Sequence, residues 1–135
     1  MDAGRLSLEI VTPERLVVAL DVDEVVLPGA EGSFGVLPGH APLLAQLDVG
    51  EISYRVGRER KYLAASGGFA EVLRSAVTVL AETVERAEEI DVARARRAQE
   101  RAADSLRADL SAGELARAEV ALKKALCRVQ TAHRV

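Results

Sequence analysis

Hydrophobic residues follow two different periods in the two parts of this chain. Up to about residue 85, short β-rich runs alternate with glycine, proline and other turn-forming residues, a pattern typical of an antiparallel β-sandwich or barrel. The predicted strands are 6–12, 15–20, 23–29, 51–56, 61–66, 69–73 and 76–84. The clearest predicted hairpin joins 51–56 to 61–66 through the charged tip Gly-Arg-Glu-Arg, and Gly67-Gly68 predicts a further turn.

From Asp91 onward the apolar residues recur at helical spacing. Two stripes share spacings of mostly three and four residues: Val92, Ala95, Ala98, Ala102, Leu106 and Leu110, then Leu115, Ala118, Leu122, Ala125, Val129 and Ala132. The segment Ser-Ala-Gly at 111–113 separates the stripes and is typical of a tight turn. The pattern therefore predicts an antiparallel hairpin of two helices, 91–110 and 113–133. The expected domains are 1–86 and 87–135.

Alanine dominates the apolar stripes of the predicted hairpin. Burial contributes about 25 cal/mol per Å² of apolar surface, so a seam of methyl groups holds two helices less firmly than a seam of leucines. A weakly held hairpin can change conformation. Fully straightened, residues 91–133 would reach roughly 65 Å at about 1.5 Å per residue.

Composition and charge narrow the class of protein. The chain has 135 residues, one cysteine and a net charge of −3. It has no long apolar run and no charged leader before an apolar stretch, so neither a membrane span nor a signal peptide is expected. The lone Cys127 excludes an internal disulfide and suits a reducing cytoplasm. Residues 1–88 carry a net charge of −6 and residues 89–135 carry +3. The basic part is expected to meet an anionic partner, but not nucleic acid, since no aromatic residue follows Phe69 to stack on bases.

Three blocks of sequence resemble one family. GSFGVLPGHAPLLAQLDVG (32–50), ASGGFAEV (65–72) with VTVLAE (77–82), and IDVARA (90–95) follow one another in the order found in the epsilon subunit of bacterial F-type ATP synthase. The resemblance extends over nearly the whole chain. It implies an N-terminal antiparallel β-sandwich of about ten strands followed by a two-helix hairpin, in a central rotating stalk.

The resemblance assigns partners to the two parts of the chain. The sandwich is expected to bind the gamma subunit and to rest on the ring of c subunits, with Glu31 and Gly32 in the loop that touches the ring. Phe34 follows that loop where the family commonly has leucine. His40, in Leu-Pro-Gly-His-Ala-Pro-Leu, lies in a region that borders the stalk interfaces, although hydrogen bonding within its own loop explains it equally well. No second nearby histidine or cysteine accompanies His40, so no metal site is predicted.

The helical hairpin is expected to be the regulatory arm. In the family it folds against the sandwich or extends along gamma toward the alpha/beta catalytic head, where the extended form inhibits ATP hydrolysis. Arg117, Lys124 and Arg128 lie within about 40° of one another around the second helix at 100° per residue. The resemblance implies that they meet an acidic loop of the beta subunits, and the residues alone are equally consistent with a solvated helix face.

The block IDVARA matches the nucleotide-binding motif of the family. The resemblance implies that ATP stabilises the folded arm, and it marks as candidate nucleotide-binding residues Glu85, Ile90, Asp91, Arg94, Ala95, Arg101, Lys124 and Arg128. Lys124 stands where tight-binding relatives have arginine, and lysine supplies charge without a planar bidentate fork for phosphate. The alternative for Asp91 is a simple helix cap, worth about 1 kcal/mol.

The expected function is that of a non-catalytic rotor subunit with no required cofactor and ATP as a regulatory ligand. No acid, base and nucleophile cluster in the sequence, and no glycine-rich phosphate loop is present. The expected location is the cytoplasmic face of a bacterial cell membrane, reached only through the complex. Two alternatives stay open: the same subunit with a static, ATP-insensitive arm, and, less favoured, an unrelated small nucleotide-binding protein.

Overall fold

A computed structural model describes residues 4–135 of the chain. The chain divides into two compact units, Met1–Glu85 and Arg86–Val135, and each is described by itself. The first unit is built of strands and the second of helices. Neither helix in the described residues is long and apolar enough to cross a membrane.

The first unit is a β-sandwich, as predicted. Its eight strands are β1 (Leu6–Val11), β2 (Leu16–Val22), β3 (Glu24–Gly29), β4 (Gly32–Val36), β5 (Leu43–Leu47), β6 (Gly50–Val56), β7 (Glu59–Val72) and β8 (Ala76–Arg86). They pair in the order β2-β1-β8-β7-β5-β3-β4, and β6 bridges β3 and β7. Most pairs are antiparallel, as expected, but β1 and β8 run parallel.

The strand β7 accounts for one strand of the difference between the eight that the described residues form and the ten or so expected. The predicted strands 61–66 and 69–73 belong to this one strand, whose first part pairs with β6 and whose last part pairs with β5. Gly67 and Gly68 have φ angles of +63° and +113°, so they bend the strand without ending it. The prediction of a turn at Gly67-Gly68 was therefore wrong.

Two further strands lie where no strand was predicted. The segments that form β4 and β5 contain glycine or follow proline, which weakens a strand pattern. Pairing supplies what the local sequence lacks, since β4 is held by β3 and β5 by β7. The predicted hairpin between β6 and β7 is confirmed, with a tighter turn than expected at Gly57 and Arg58.

Large aliphatic side chains fill the core of the sandwich. Among the described residues, the largest fully buried side chains are all leucine, isoleucine or valine, and they include Leu6, Leu8, Ile10, Leu27, Ile52 and Leu63. They alternate with exposed residues along their strands, as in β1, because successive side chains of a strand point to opposite faces. This core makes the sandwich a rigid platform for the residues on its surface.

A network of charged side chains joins the start of β3 to the turn between β6 and β7 and to Arg5. Asp23 accepts hydrogen bonds from the backbone amide of Gly57 at 2.6 Å and from Arg5 Nε at 3.2 Å. Beside it, Glu24 pairs with Arg60. The amide of Gly57, with help from the arginine charges, lowers the pKa of Asp23 below its ordinary value.

The second unit is a helical hairpin, as predicted. A 3₁₀ turn (Ala87–Glu89) precedes α1 (Val92–Ser105), and α2 spans Ala112–Ala132. Ser111 caps α2: its hydroxyl accepts from the amide of Glu114, whose carboxylate accepts in turn from the amide of Ser111. Hydrogen bonds from Ser111 lower the pKa of Glu114.

Two details of the hairpin differ from the prediction. The first helix ends at Ser105 rather than at residue 110, because the chain uses the following residues to reverse direction before the capping box. The expected tight turn at 111–113 is wrong, since Gly113 already lies in the first turn of α2.

The alanine seam is confirmed. Within the two helices, the buried residues are Ala95, Ala102, Ala118, Ala125 and Thr131. Leu122 and Val129 are only half-buried, and Leu115 is exposed. The helices therefore meet through small side chains, and Thr131 is a buried residue that the sequence pattern missed.

Candidate functional site

The start of α1 carries the motif residues Asp91, Arg94 and Ala95. Asp91 is the N-cap of the helix, and its Oδ1 accepts from the backbone amide of Arg94 at 3.0 Å. Ala95 is completely buried in the hairpin seam, and Arg94 is exposed. One carboxylate oxygen of Asp91 thus serves the helix end, and the Arg94 guanidinium is available to an anion in solution.

The two helices are antiparallel, and one contact fixes their relative level. Arg96, near the start of α1, lies 3.2 Å from His133, directly after α2, measured from Nη2 to Nε2. Arg101 lies five residues after Arg96, and Arg128 lies five residues before His133, so Arg101 and Arg128 stand at the same level of the hairpin. Lys124 lies one helical turn away from Arg128 along α2.

Four cations flank the alanine seam on one side. Arg94 and Arg101 each precede a buried alanine of α1 by one residue, and Lys124 precedes the buried Ala125 of α2. In an antiparallel pair, side chains with the same angular offset from the contact line lie on the same side of the groove. Arg128 lies close to this direction and is half-buried. These four candidate phosphate-binding residues thus share one flank of the hairpin, the cationic flank.

Four of the eight candidate nucleotide residues are not part of this flank. Asp91 caps α1 and Ala95 lies in the seam. Ile90 is buried, 7% exposed, directly before the cap of α1. Glu85 is half-buried in β8, within the sandwich unit.

The candidate head-contacting residues lie on α2. Arg117 and Lys124 line a shallow groove of about 420 Å³ together with Ala116, Val120 and Ala121. Both cations are exposed, whereas Arg128 is half-buried. This face offers two positive charges beside small apolar side chains, a combination that suits a partner carrying carboxylates on an apolar background.

Glu31 and Gly32 lie at the tip of the β3–β4 hairpin. Gly32, with a φ of +131°, pairs with Gly29, so Ala30 and Glu31 form the turn. The tip borders a cavity of about 370 Å³ that is also lined by Phe34, Leu43 and Leu44. Glu31 is exposed and carries a negative charge beside an apolar hollow.

His40 is held inside its own loop. Its Nδ1 lies 2.6 Å from the carbonyl oxygen of Ala41, and its amide donates to Leu37 at 3.2 Å. The amide of Gly39 donates to the carbonyl of Arg74 at 2.7 Å, which ties the loop to the turn between β7 and β8. A local structural role for His40 is thus accounted for. Among residues 4–135, no cluster of histidine, cysteine or acidic side chains has the geometry of a metal site.

An outer apolar row crosses the sandwich and was not predicted. Leu16 on β2 pairs with Val11 on β1, which pairs in turn with Leu80 on β8. Phe69 lies on the neighbouring strand β7, and Leu44 on β5 lies diagonally to it, two residues before Gln46, which pairs with Phe69. Phe69 is 51% exposed, Leu16 54%, Leu80 56% and Leu44 72%. Val11, Phe69 and Leu80 line a groove of about 470 Å³.

A sequence signal for this row exists in the strand alternation. In β8 Val77, Val79 and Ala81 are buried around Leu80, so Leu80 occupies the phase that ought to be polar. Single exposed leucines are ordinary on protein surfaces, but a contiguous apolar patch marks a binding surface. Only the sheet order, which joins strands distant in sequence, reveals that these residues are neighbours.

Comparison with known proteins agrees with this architecture. Residues 5–87 match the beta-sandwich domain of the ATP synthase delta/epsilon chain, and residues 88–133 match the long alpha-helix domain of the same chain. The chain belongs to the ATP synthase delta/epsilon chain family. Members of this family are subunits of ATP synthase, so the chain is not catalytic by itself.

Individual relatives are similar over their full length. The ATP synthase epsilon chain of Syntrophobacter fumaroxidans is 48% identical over 132 residues, which cover 98% of both chains. The epsilon chain of Herpetosiphon aurantiacus is 48% identical over 127 residues, covering 94% of this chain and 93% of the relative. The resemblance inferred from the three sequence blocks is confirmed.

Solved structures share the fold at lower identity. A chain of the Euglena gracilis mitochondrial ATP synthase superposes with a TM-score of 0.84 at 23% identity, covering 96% of this chain and 82% of that one. A chain from the central stalk and c-ring structure of the Tetrahymena thermophila enzyme gives a TM-score of 0.66 at 15% identity, covering 94% and 96%. At these identities the likeness concerns the fold alone.

Proposed function

We propose that this chain is the epsilon subunit in the central stalk of a proton-translocating F-type ATP synthase. In this role it couples the catalytic head to the membrane ring at the cytoplasmic face of a bacterial cell membrane. Its helical hairpin acts as a mobile arm that inhibits ATP hydrolysis when extended. The observation that carries the proposal is the match of both domains, in order, to one subunit family over residues 5–133.

The outer apolar row supports binding of the gamma subunit to the sandwich. A rotor joint must transmit torque without slipping, and burial of contiguous apolar surface on a rigid sheet provides a strong contact. Phe69 and Leu80 stand at the centre of the row, where binding energy concentrates in most interfaces.

The β3–β4 tip supports contact with the c ring. Glu31 and Gly32 project at a tight turn, and the neighbouring cavity with Phe34 and Leu44 can receive a small apolar side chain from a partner loop. His40 serves this region by fixing the loop between β4 and β5. These residues form a second, smaller contact beside the one with gamma.

The alanine seam supports a mobile arm. The helices bury mainly methyl groups against each other, so separating them exposes little apolar surface per residue. In the extended state, the groove with Arg117 and Lys124 would face the acidic loop of a beta subunit, joined by Arg128. Charge attraction would then hold the arm against the head and block rotation in the hydrolysis direction.

The cationic flank supports ATP as the regulatory ligand of the closed hairpin. Arg94, Arg101, Lys124 and Arg128 concentrate positive charge along one side of the seam, and such charges repel unless an anion lies among them. A triphosphate contacts both helices only while they are side by side. ATP binding therefore favours the closed arm by its difference in affinity for the closed and open states.

Calorimetric titration of the isolated chain with ATP tests the nucleotide part of the proposal. We expect binding that Arg94→Ala and Arg101→Ala each weaken at least about tenfold, the loss typical of a charged hydrogen bond. Arg107→Ala is the matched control, because Arg107 is exposed and lies beyond the end of α1, where it pairs with Asp104 at 3.2 Å. Equal loss in all three variants would mean nonspecific charge attraction, and no heat at millimolar ATP would contradict the proposal.

A static, ATP-insensitive arm is the second candidate. Two observations favour it: the Asp91 carboxylate already caps α1, and position 124 holds lysine. In that case the isolated chain binds gamma with its native affinity but shows no response to ATP. Binding of gamma, measured separately, therefore distinguishes failure of the rotor assignment from failure of the nucleotide assignment.

A further inference from the structure

The two ends of the hairpin meet in a contact between Arg96 and His133 that the proposed functions do not use. Nη2 of Arg96 lies 3.2 Å from Nε2 of His133. A guanidinium can only donate, so Nε2 must accept, which requires a neutral imidazole with its proton on Nδ1. The contact therefore exists for one protonation state of the imidazole only.

Protonation of the His133 imidazole turns this attractive contact into a repulsive one. A protonated imidazole has no acceptor atom, and its positive charge would stand at hydrogen-bond distance from the Arg96 guanidinium. Imidazoles change charge between about pH 5 and 8. The contact thus joins the helices above this range and pushes them apart below it.

The position of the Arg96–His133 pair allows it to affect whether the two helices stay together. Arg96 lies in the second turn of α1, and His133 is the C-cap of α2, so the pair closes the end of the hairpin opposite the connecting loop. The seam between them is made mainly of alanine. A contact at the open end is the first to break when the helices separate.

Other charged groups lie on the elements around the pair. Near this level α1 carries Arg94, Arg97 and Glu100 in addition to Arg96, with Asp91 at its cap; the 3₁₀ turn carries Glu88 and Glu89, and Arg134 follows His133. Glu89 pairs with Arg86 at 3.5 Å. The dipole of α2 favours a charged His133 whether the hairpin is closed or open, so it does not oppose the effect of Arg96, which exists only in the closed state.

We propose that Arg96 and His133 form a proton-sensitive clasp that holds the helical hairpin closed at neutral pH and releases it on acidification. The clasp itself needs neither ATP nor a partner. Its consequence, stronger inhibition of ATP hydrolysis in an acidified cytoplasm, rests on the proposed function of the arm.

Distance measurements between spin labels on the full isolated chain test the clasp. The labels replace Asp104 and Leu126, which are exposed and lie far from the clasp, in a chain where Cys127→Ala removes the native thiol. The labels are close in the hairpin and about 33 Å apart in a straightened arm. We expect the ratio of closed to open chains to fall about twofold to fivefold between pH 8 and pH 5.5, the range for exposed charge pairs.

Variants assign the response to the clasp. His133→Gln keeps an acceptor at every pH, and Arg96→Gln removes the repulsion, so each should abolish the pH response. His40→Gln changes the other histidine of the chain and should leave the response intact. A pH-independent ratio in the native chain, or a response that survives His133→Gln, overturns the clasp. Neither result bears on gamma binding or on inhibition, which are measured in the complex.

Discussion

The sandwich and the hairpin bury very different side chains. All twelve of the largest fully buried side chains belong to the sandwich and are leucine, isoleucine or valine. The two helices bury four alanines and one threonine. Each buried methylene contributes about 0.8 kcal/mol, so the sandwich is held far more firmly per residue. One chain thus combines a platform that resists deformation with a hairpin whose two helices are held together more weakly.

The sharpest test of this contrast truncates one leucine in each unit. Leu63→Ala in β7, where the side chain is 1% exposed, should lower the free energy of unfolding by about 2–5 kcal/mol. Leu122→Ala in the half-buried part of the seam should cost about 1 kcal/mol, since the site is open to water. Urea denaturation of both variants measures the two costs, and equal losses would contradict the contrast.

A substitution at the bend of β7 should also lower the stability of the sandwich. A Cβ on Gly68 would lie 1.9 Å from the carbonyl oxygen of Leu80, and the φ of +113° disfavours any side chain. Gly68→Ala should therefore lower stability by about 3 kcal/mol. Gly35→Ala is the control, because a Cβ there meets only Glu24, at 3.9 Å, and should cost under about 1 kcal/mol. Thermal unfolding followed by circular dichroism compares the two.

Overpacking the seam should open the arm while sparing the platform. Ala95 is completely buried, so Ala95→Leu inserts a side chain that the closed hairpin cannot hold, at a cost of about 1–3 kcal/mol. Ala93→Leu, exposed on the same helix, serves as the control. Protease sensitivity of the helices should rise for Ala95→Leu only, with the sandwich transition unchanged in both. An unchanged protease pattern would mean that the seam tolerates large residues.

The capping box of α2 offers a smaller effect on the arm. Ser111→Ala removes the acceptor for the amide of Glu114 and should cost about 1 kcal/mol of helix stability. Ser111→Asp, also a good cap, should restore most of it. Helix content measured by circular dichroism against temperature separates the variants, and identical curves for both would argue against the cap.

The Asp23 network gives the platform a pH dependence. The pKa of Asp23 is lowered in the folded chain. The ionised Asp23 carboxylate therefore stabilises the sandwich at pH values above its unfolded pKa of about 3.8. That contribution disappears as the pH falls through the lower, folded value. Asp23→Asn should reduce stability at pH 7 and flatten its decline below pH 4, measured by urea midpoints. If the stability of Asp23→Asn falls below pH 4 as steeply as that of the native chain, other carboxylates cause the decline.

The same contrast explains what the sequence predicts well and what it misses. The helices follow from their period, and a cap at Asp91 was one of the two predictions for that residue. Ser111, which was predicted to lie in a tight turn, is instead the cap of α2. The end of α1 was misplaced, because the apolar stripe continues through Leu106 and Leu110 after the hydrogen-bond pattern has stopped. Local sequence patterns therefore predict that the helices exist but do not predict where they begin and end.

The sandwich depends more on pairing between distant segments. The strands β4 and β5 exist because β3 and β7 hold them, and the parallel pair β1–β8 joins segments about seventy residues apart. The outer apolar row depends on that sheet order, so periodicity within each strand cannot assemble it. The charged residues of the arm, by contrast, follow from helical spacing, which already brings Arg94 and Arg101 to one face.

Hydrogen exchange of the isolated chain, with and without ATP, tests the central claim most directly. Sandwich amides, such as those of β1 and β7, should exchange only on global unfolding. Amides of α1 and α2 should exchange through a much cheaper local opening, and ATP should slow them selectively. Equal protection in both units, with no selective effect of ATP on the helices, would contradict the account of a rigid platform carrying a nucleotide-controlled arm.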